Sequence, residues 1–201
     1  MNFQKTQLET TAKQTSIMAM TAALWVLFIF LSHLFATPNF AILYLPIVLL
    51  GVFPFWFGWS GLAGCAIGAF IGGAFVMGLG FLGVIESVTA LIIYGLIWLL
   101  APKNAVEGRG KKNLFLLIGV YAVSFFAGTS YHFLQLAAIF PALFTVNWAL
   151  TLIFPSLVLN VIIEVAICPV LLRTLSPKLR CWGFCSGTFS EWRSRSVKAQ
   201  K

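Results

Sequence analysis

The chain has 201 residues, of which 60% are hydrophobic and 9% charged, with a formal net charge of +8. A soluble domain carries roughly 25% charged residues, so a chain this apolar has the bilayer as its solvent. The positive charge argues against a nucleic-acid partner once its placement is read: all 13 Lys and Arg fall in the N-terminus, one central loop and the C-terminal tail. There they flank apolar spans, set topology and meet anionic lipid.

Residues 1–15 are polar, with Lys5, Glu9 and Lys13, and read as a cytoplasmic N-terminus rather than a cleavable signal. The first span is expected over 16–35, ended by the loop signal Thr37-Pro38-Asn39. A second follows over 40–57, where Pro46 and Pro54 are tolerated because neighbouring helices re-satisfy the backbone. Phe57-Gly58-Trp59-Ser60-Gly61 is the next turn, with Trp56 and Trp59 placed for an aromatic belt.

From Gly61 to Ala101 the chain is apolar throughout. One straight helix of that length would reach roughly 60 Å, about twice the hydrocarbon core. It must fold back, and Gly78 to Gly83 is the place. That gives spans over 61–77 and 82–100. A polar loop from Ala101 to Asn113 holds Lys103, Glu107, Arg109, Lys111 and Lys112. The fifth span is expected over 114–136 and the sixth over 148–172, separated by a loop containing Phe140-Pro141. The fold class is therefore an all-α polytopic membrane protein with six spans in a transmembrane domain over 16–175, and a basic, aromatic-containing cytoplasmic tail over 176–201. Six spans with both termini cytoplasmic put every Lys and Arg on the inner side of a cell membrane, whereas five or seven would strand a basic group outside.

Gly64, Gly68 and Gly72 line one face of the third span and permit close helix approach, either inside the bundle or between copies. Ala19 and Ala23 make a similar small pair on the first span, for internal packing or for docking another membrane protein. Cys65 and Cys168 read as packing residues; Cys181 and Cys185 lack the further ligands a structural zinc site needs.

The outer ends of the spans collect the polar residues: His33, Asn39 and Tyr44, then Glu86, then Tyr131, His132 and Gln135, then Asn147, Trp148 and Thr151. Deeper in the sixth span, Asn160 and Glu164 share a helix face. Intramembrane carboxylates are costly and are functional candidates by default. The set offers carboxylate, imidazole, amide and aromatic groups and no permanent cation. It suits a neutral, aromatic or cationic small molecule better than an anionic one. No hydrolase, zinc-protease or phosphate-loop motif is present, so neither an enzyme nor a bound cofactor or metal is expected.

Met18-Ala19-Met20-Thr21-Ala22-Ala23-Leu24, Leu45-Pro46 and Phe57-Gly58-Trp59-Ser60-Gly61-Leu62-Ala63-Gly64, followed by a Gly-rich helix, resemble the substrate-binding S components of energy-coupling-factor vitamin transporters. The resemblance covers the first hundred residues best and the rest by topology. It implies a membrane-embedded binder of a vitamin-like micronutrient that docks onto a coupling transmembrane subunit and ATPase subunits. It implies docking through Ala19 and Ala23, and substrate contacts from Glu86, Tyr131, His132, Asn147, Trp148 and Asn160. The chain departs from the family where the third helix often closes on Gly-Asp: here stand Gly72-Gly73-Ala74. The alternatives are a membrane sensory or scaffold module and a small homo-oligomeric secondary transporter.

Overall fold

The structure is a computed structural model that describes residues 2–34, 36–37, 40–41, 44–77, 80–103, 105, 111–142, 145, 147, 150–151 and 154–199. Helix α1 runs Asn2–His33 and leads into a two-residue antiparallel ladder, β1 (Ala36–Thr37) with β2 (Phe40–Ala41). Then come α2 (Pro46–Met77), α3 (Gly80–Leu100), α4 (Lys111–Ile139), α5 (Phe154–Cys181) and a short α6 (Phe189–Ala199). Five of these helices are long and apolar enough to cross a membrane: Thr11–His33, Pro46–Phe75, Gly80–Leu100, Lys112–Ile139 and Phe154–Cys181. The architecture is that of an all-helical polytopic membrane protein.

One helix, α2, breaks at Gly58, whose φ of 52° and ψ of −129° are open to glycine and to few other residues. The contacts of its two arms show that the chain reverses there. Before the break, Tyr44 meets Asn160 and Trp56 meets Ser176, so this arm runs parallel to α5. After it, Gly64 faces Thr21 and Met18, Gly68 faces Ala22 and Trp25, and Gly72 faces Ile29, so that arm runs parallel to α1. Lys13 near the start of α1 bonds Gly183 just past the end of α5, so α1 and α5 are themselves antiparallel. Six arms result, with the turn inside Phe57 to Gly61 as the sequence predicts. The first arm differs from the predicted second span. Phe40 and Ala41 belong to the ladder, and the helix begins only at Pro46. At 1.5 Å per residue it is about 18 Å long, little more than half of a roughly 30 Å hydrocarbon core. The loop at Tyr44 and Leu45 continues it: the Leu45 amide donates to the Ser32 hydroxyl, which donates in turn to Phe28 O.

In a membrane, helices associate by close packing rather than by escape from water. The glycine row of α2 meets that need inside the bundle. A Cβ at Gly68 would stand 2.6 Å from Trp25 Cβ and 2.7 Å from the Ala22 carbonyl, so α1 and α2 can lie this close only without one. Helices α2 and α3 cross at Gly73 and Gly83, where a Cβ on Gly73 would be 3.0 Å from Gly83 Cα. Trp25 is buried at the Gly68 crossing, and Tyr94, Trp98, Tyr121 and Phe55 are buried towards the Gly58 turn and Gly51. Outward-facing Phe75, Phe115 and Phe126 are exposed on the bundle surface, where lipid would cover them.

The tail folds onto the bundle. The break at Gly58 leaves the last carbonyls of the first arm without helical donors. Ser186 N donates to Trp56 O at 3.0 Å and Gly187 N to Phe55 O at 2.8 Å, filling that need. Trp98 Nε1 donates to Gly187 O, and the Trp98 ring meets Trp59, Phe189 and Trp192. Lys13 spans to the same strap, its Nζ 2.8 Å from Gly183 O and 4.4 Å above the Phe184 ring. Thr188 and Glu191 form a reciprocal cap on α6, with Thr188 N donating to the Glu191 carboxylate at 2.9 Å. The tail aromatics Phe184, Phe189 and Trp192 are thus partners of the bundle, and Trp56, expected at a belt, is buried. Helix α5 continues to Cys181, beyond the expected end of the sixth span. Cys185 donates its thiol to Phe55 O at 3.5 Å, while Cys181 is exposed.

Candidate functional site

Basic residues of the described chain, among them Lys13, Lys103, Lys112, Arg173, Lys178, Arg180 and Arg193, belong to the halves of the helices and the loop that lie towards the folded tail. The opposite end, carrying the β1–β2 ladder, has no Lys or Arg among the described residues. The polar cluster expected from the sequence is at that end.

Its centre is Glu86 on α3, with its side chain 12% exposed. Gly73 of α2 makes room for it: a Cβ there would be 3.0 Å from Glu86 Cγ. The Tyr44 hydroxyl donates to Glu86 Oε2 at 3.3 Å from the loop before α2. From α4, His132 Nε2 stands 3.9 Å from Glu86 Oε1, an ion pair when the ring is protonated and too long for a hydrogen bond. The other ring nitrogen, Nδ1, lies 3.3 Å from Thr89 Oγ1, and Thr89 donates its own proton to Ile85 O at 2.8 Å. Thr89 oxygen therefore accepts from Nδ1–H, which turns Nε2 towards the carboxylate. Three elements thus bring a carboxylate, an imidazole, a phenol and a hydroxyl into one half-buried group.

The other candidates divide. Tyr131 is half-buried and packs against the small apolar cluster of Leu82, Ile85 and Leu136 beside the site. Gln135 is half-buried one turn further along α4. His33 turns back on its own helix, Nδ1 donating to Ile29 O at 3.0 Å, and is exposed. Asn147 is exposed, and its carbonyl accepts from the Thr151 hydroxyl. Asn39 and Trp148 lie outside the described residues. Asn160 is buried and has a structural job: its Oδ1 accepts from Tyr44 N at 2.9 Å, and its Nδ2 donates to Ser156. Glu164 is one turn deeper, fully buried, and faces Gly51 rather than Glu86. Ala19 and Ala23 are exposed on α1, on the side away from the glycine row of α2.

Sequence reasoning missed Thr89. Its signal was available, because Thr89 stands three residues after Glu86 and so shares its helix face. Ser32 was missed as well; it holds the Leu45 amide and thereby the chain segment that carries Tyr44. The described residues hold no group of three or more metal-ligating side chains.

Compared with family models, curated proteins and solved structures, the chain finds no match.

Proposed function

We propose that the chain is the membrane-embedded substrate-binding subunit of an energy-coupling-factor type importer, and that it takes a neutral or cationic vitamin-like molecule beside Glu86. The observation that carries the reading is the convergence of Tyr44, Glu86, Thr89 and His132 at the end of the bundle without Lys or Arg. A carboxylate with aromatic neighbours attracts a cation or a polar heterocycle by charge, hydrogen bonding and stacking. An anionic substrate would meet Glu86 with no Lys or Arg beside it among the described residues.

The sequence resemblance of the first half supplies the transporter class, and the exposed Ala19–Ala23 face is free to dock a coupling subunit. Such a face has two merits: small side chains let a partner helix approach closely, and none of the described elements of this bundle covers them. ATP hydrolysis in the partner would then drive the movement that releases substrate on the other side.

The test is co-purification from gently solubilised membranes, with mass spectrometry of proteins and small molecules together. The reading expects a coupling subunit, ATPase subunits and one retained small molecule. Ala23→Leu should release the subunits and keep the small molecule, and Glu86→Gln should do the reverse. A homo-oligomer free of any ATPase subunit, obtained under conditions that keep the protein folded, would overturn it.

A further inference from the structure

Glu164 is unused by the reading above. It lies near the middle of α5, is 0% exposed, and neither carboxylate oxygen has a hydrogen-bond partner among the described residues. Its surroundings are built from three elements. Gly51 on the first arm of α2 provides the floor: a Cβ there would be 2.9 Å from Glu164 Oε1 and would collide with Cys168 Sγ. Tyr121 of α4 closes one side, its hydroxyl donating to Gly51 O at 2.9 Å. Cys168, one turn along α5, points its thiol at Val48 O, 3.7 Å away. Gly51 is thus the residue that lets an acid enter this junction.

The groups facing Glu164 can be named element by element. From α4 comes Tyr121 and from its own helix Cys168. The first arm of α2 contributes no titratable side chain between Pro46 and Phe57. No Lys, Arg or His stands beside it among the described residues. A lone ionised carboxylate cannot persist uncompensated in an apolar interior, so the site must take a cation. A metal ion would need several oxygen ligands. Gly51 O already accepts from Tyr121, and Val48 O takes the Cys168 thiol. One proton needs a single oxygen, and this setting offers that.

We propose that Glu164 is an exchangeable proton site in the membrane interior, where the carboxylic acid releases its proton to water and regains it as the junction of α5 with the first arm of α2 opens and closes. The junction is made to open. Pro54 in α2 and Pro169 in α5 each remove a helical hydrogen bond, from the carbonyls of Leu50 and Val165, on either side of the acid. It is also tied to the ligand end: Asn160, one turn before Glu164, holds Tyr44 N, and the Tyr44 hydroxyl reaches Glu86. The proton site does not depend on the import reading, since neither a ligand nor a partner takes part.

Infrared spectroscopy of the purified full chain in lipid nanodiscs tests this. A carboxylic acid C=O band at the high frequency of an acid without a hydrogen bond should be present at low pH, vanish reversibly at high pH, and be missing in Glu164→Gln, while the lower-frequency bands of the hydrated acids remain. Should that variant fail to fold, the complementary chain serves. The remaining carboxylate side chains are Glu9, Glu86, Glu107 and Glu191. Replacing those four with Gln leaves Glu164 as the only source of a side-chain band. A band that stays constant across the whole pH range in which the helices persist would make Glu164 a fixed structural acid and overturn the proposal. So would the lack of such a band at every pH.

Discussion

The two ends of the bundle are built to different standards. At the tail end, the hydrogen bonds that close the Gly58 turn are short, between 2.8 and 3.0 Å, and a cluster of indole and phenyl rings covers them. At the ladder end, the contacts around Glu86 are 3.3 to 3.9 Å long, and the side chains stay partly exposed. The first end supplies donors to the carbonyls of Phe53, Phe55, Trp56 and Gly58. The second leaves acid, imidazole and phenol with capacity to spare. The comparison teaches where rigidity is spent: the reversal of α2 is fixed so that a looser group at the far end can meet something else.

The largest effect should come from Trp98→Ala. It deletes the centre of the aromatic cluster and the donor to Gly187 O, and should cost about 3–5 kcal/mol, as large core truncations do. Thermal unfolding in mild detergent reads the loss. Gly58→Ala comes next. A Cβ in that backbone conformation is strained, and it would sit 2.9 Å from Ser186 Oγ, so a loss of about 1–3 kcal/mol is expected. Adding Ser186→Gly should restore only part, because the backbone term remains.

Glu86→Gln sharpens the contrast from the opposite end. It should leave the unfolding midpoint within about 0.5 kcal/mol of the parent. Affinity for the retained small molecule should fall about 10- to 100-fold, the worth of one hydrogen bond to a charged group. A large stability loss without an affinity loss would reverse the assignment of the two ends. The smallest effect is Thr188→Ala, which removes the cap of α6. A local cost of about 1 kcal/mol should appear as faster proteolysis and hydrogen exchange of the tail, with the helices before it unchanged.

Much of the fold can be read from residue types. Apolar run lengths locate the arms, and the segment Phe57 to Gly61 locates the reversal, which the structure places at Gly58. The spacing of Gly64, Gly68 and Gly72 marks the face on which α1 lies. The gathering of Glu86 and His132 was legible too, since the start of one helix and the end of the next fall on the same side of the membrane. What escaped were functions set by partners distant in sequence. Asn160 looks like a ligand residue, but it binds the Tyr44 amide, and nothing local to α5 signals that. His33 looks like a member of the outer group, yet its ring bonds the Ile29 carbonyl of its own helix. The tail reads as a polar segment of uncertain order. Its fold rests on the carbonyls of Phe55 and Trp56, more than a hundred residues earlier in the chain.

That last dependence sets an order of events during synthesis. The Gly58 reversal is made early, whereas the strap that satisfies it is translated after the five long apolar helices described above. Until residues 184–189 leave the ribosome, the hairpin of α2 has to borrow donors from water or headgroups at the membrane surface. A late-arriving clasp of this kind ties the packing of the first half to residues 184–189. A product stalled or clipped before Phe184 would carry the five long helices and still leave the Phe55 and Trp56 carbonyls without these donors.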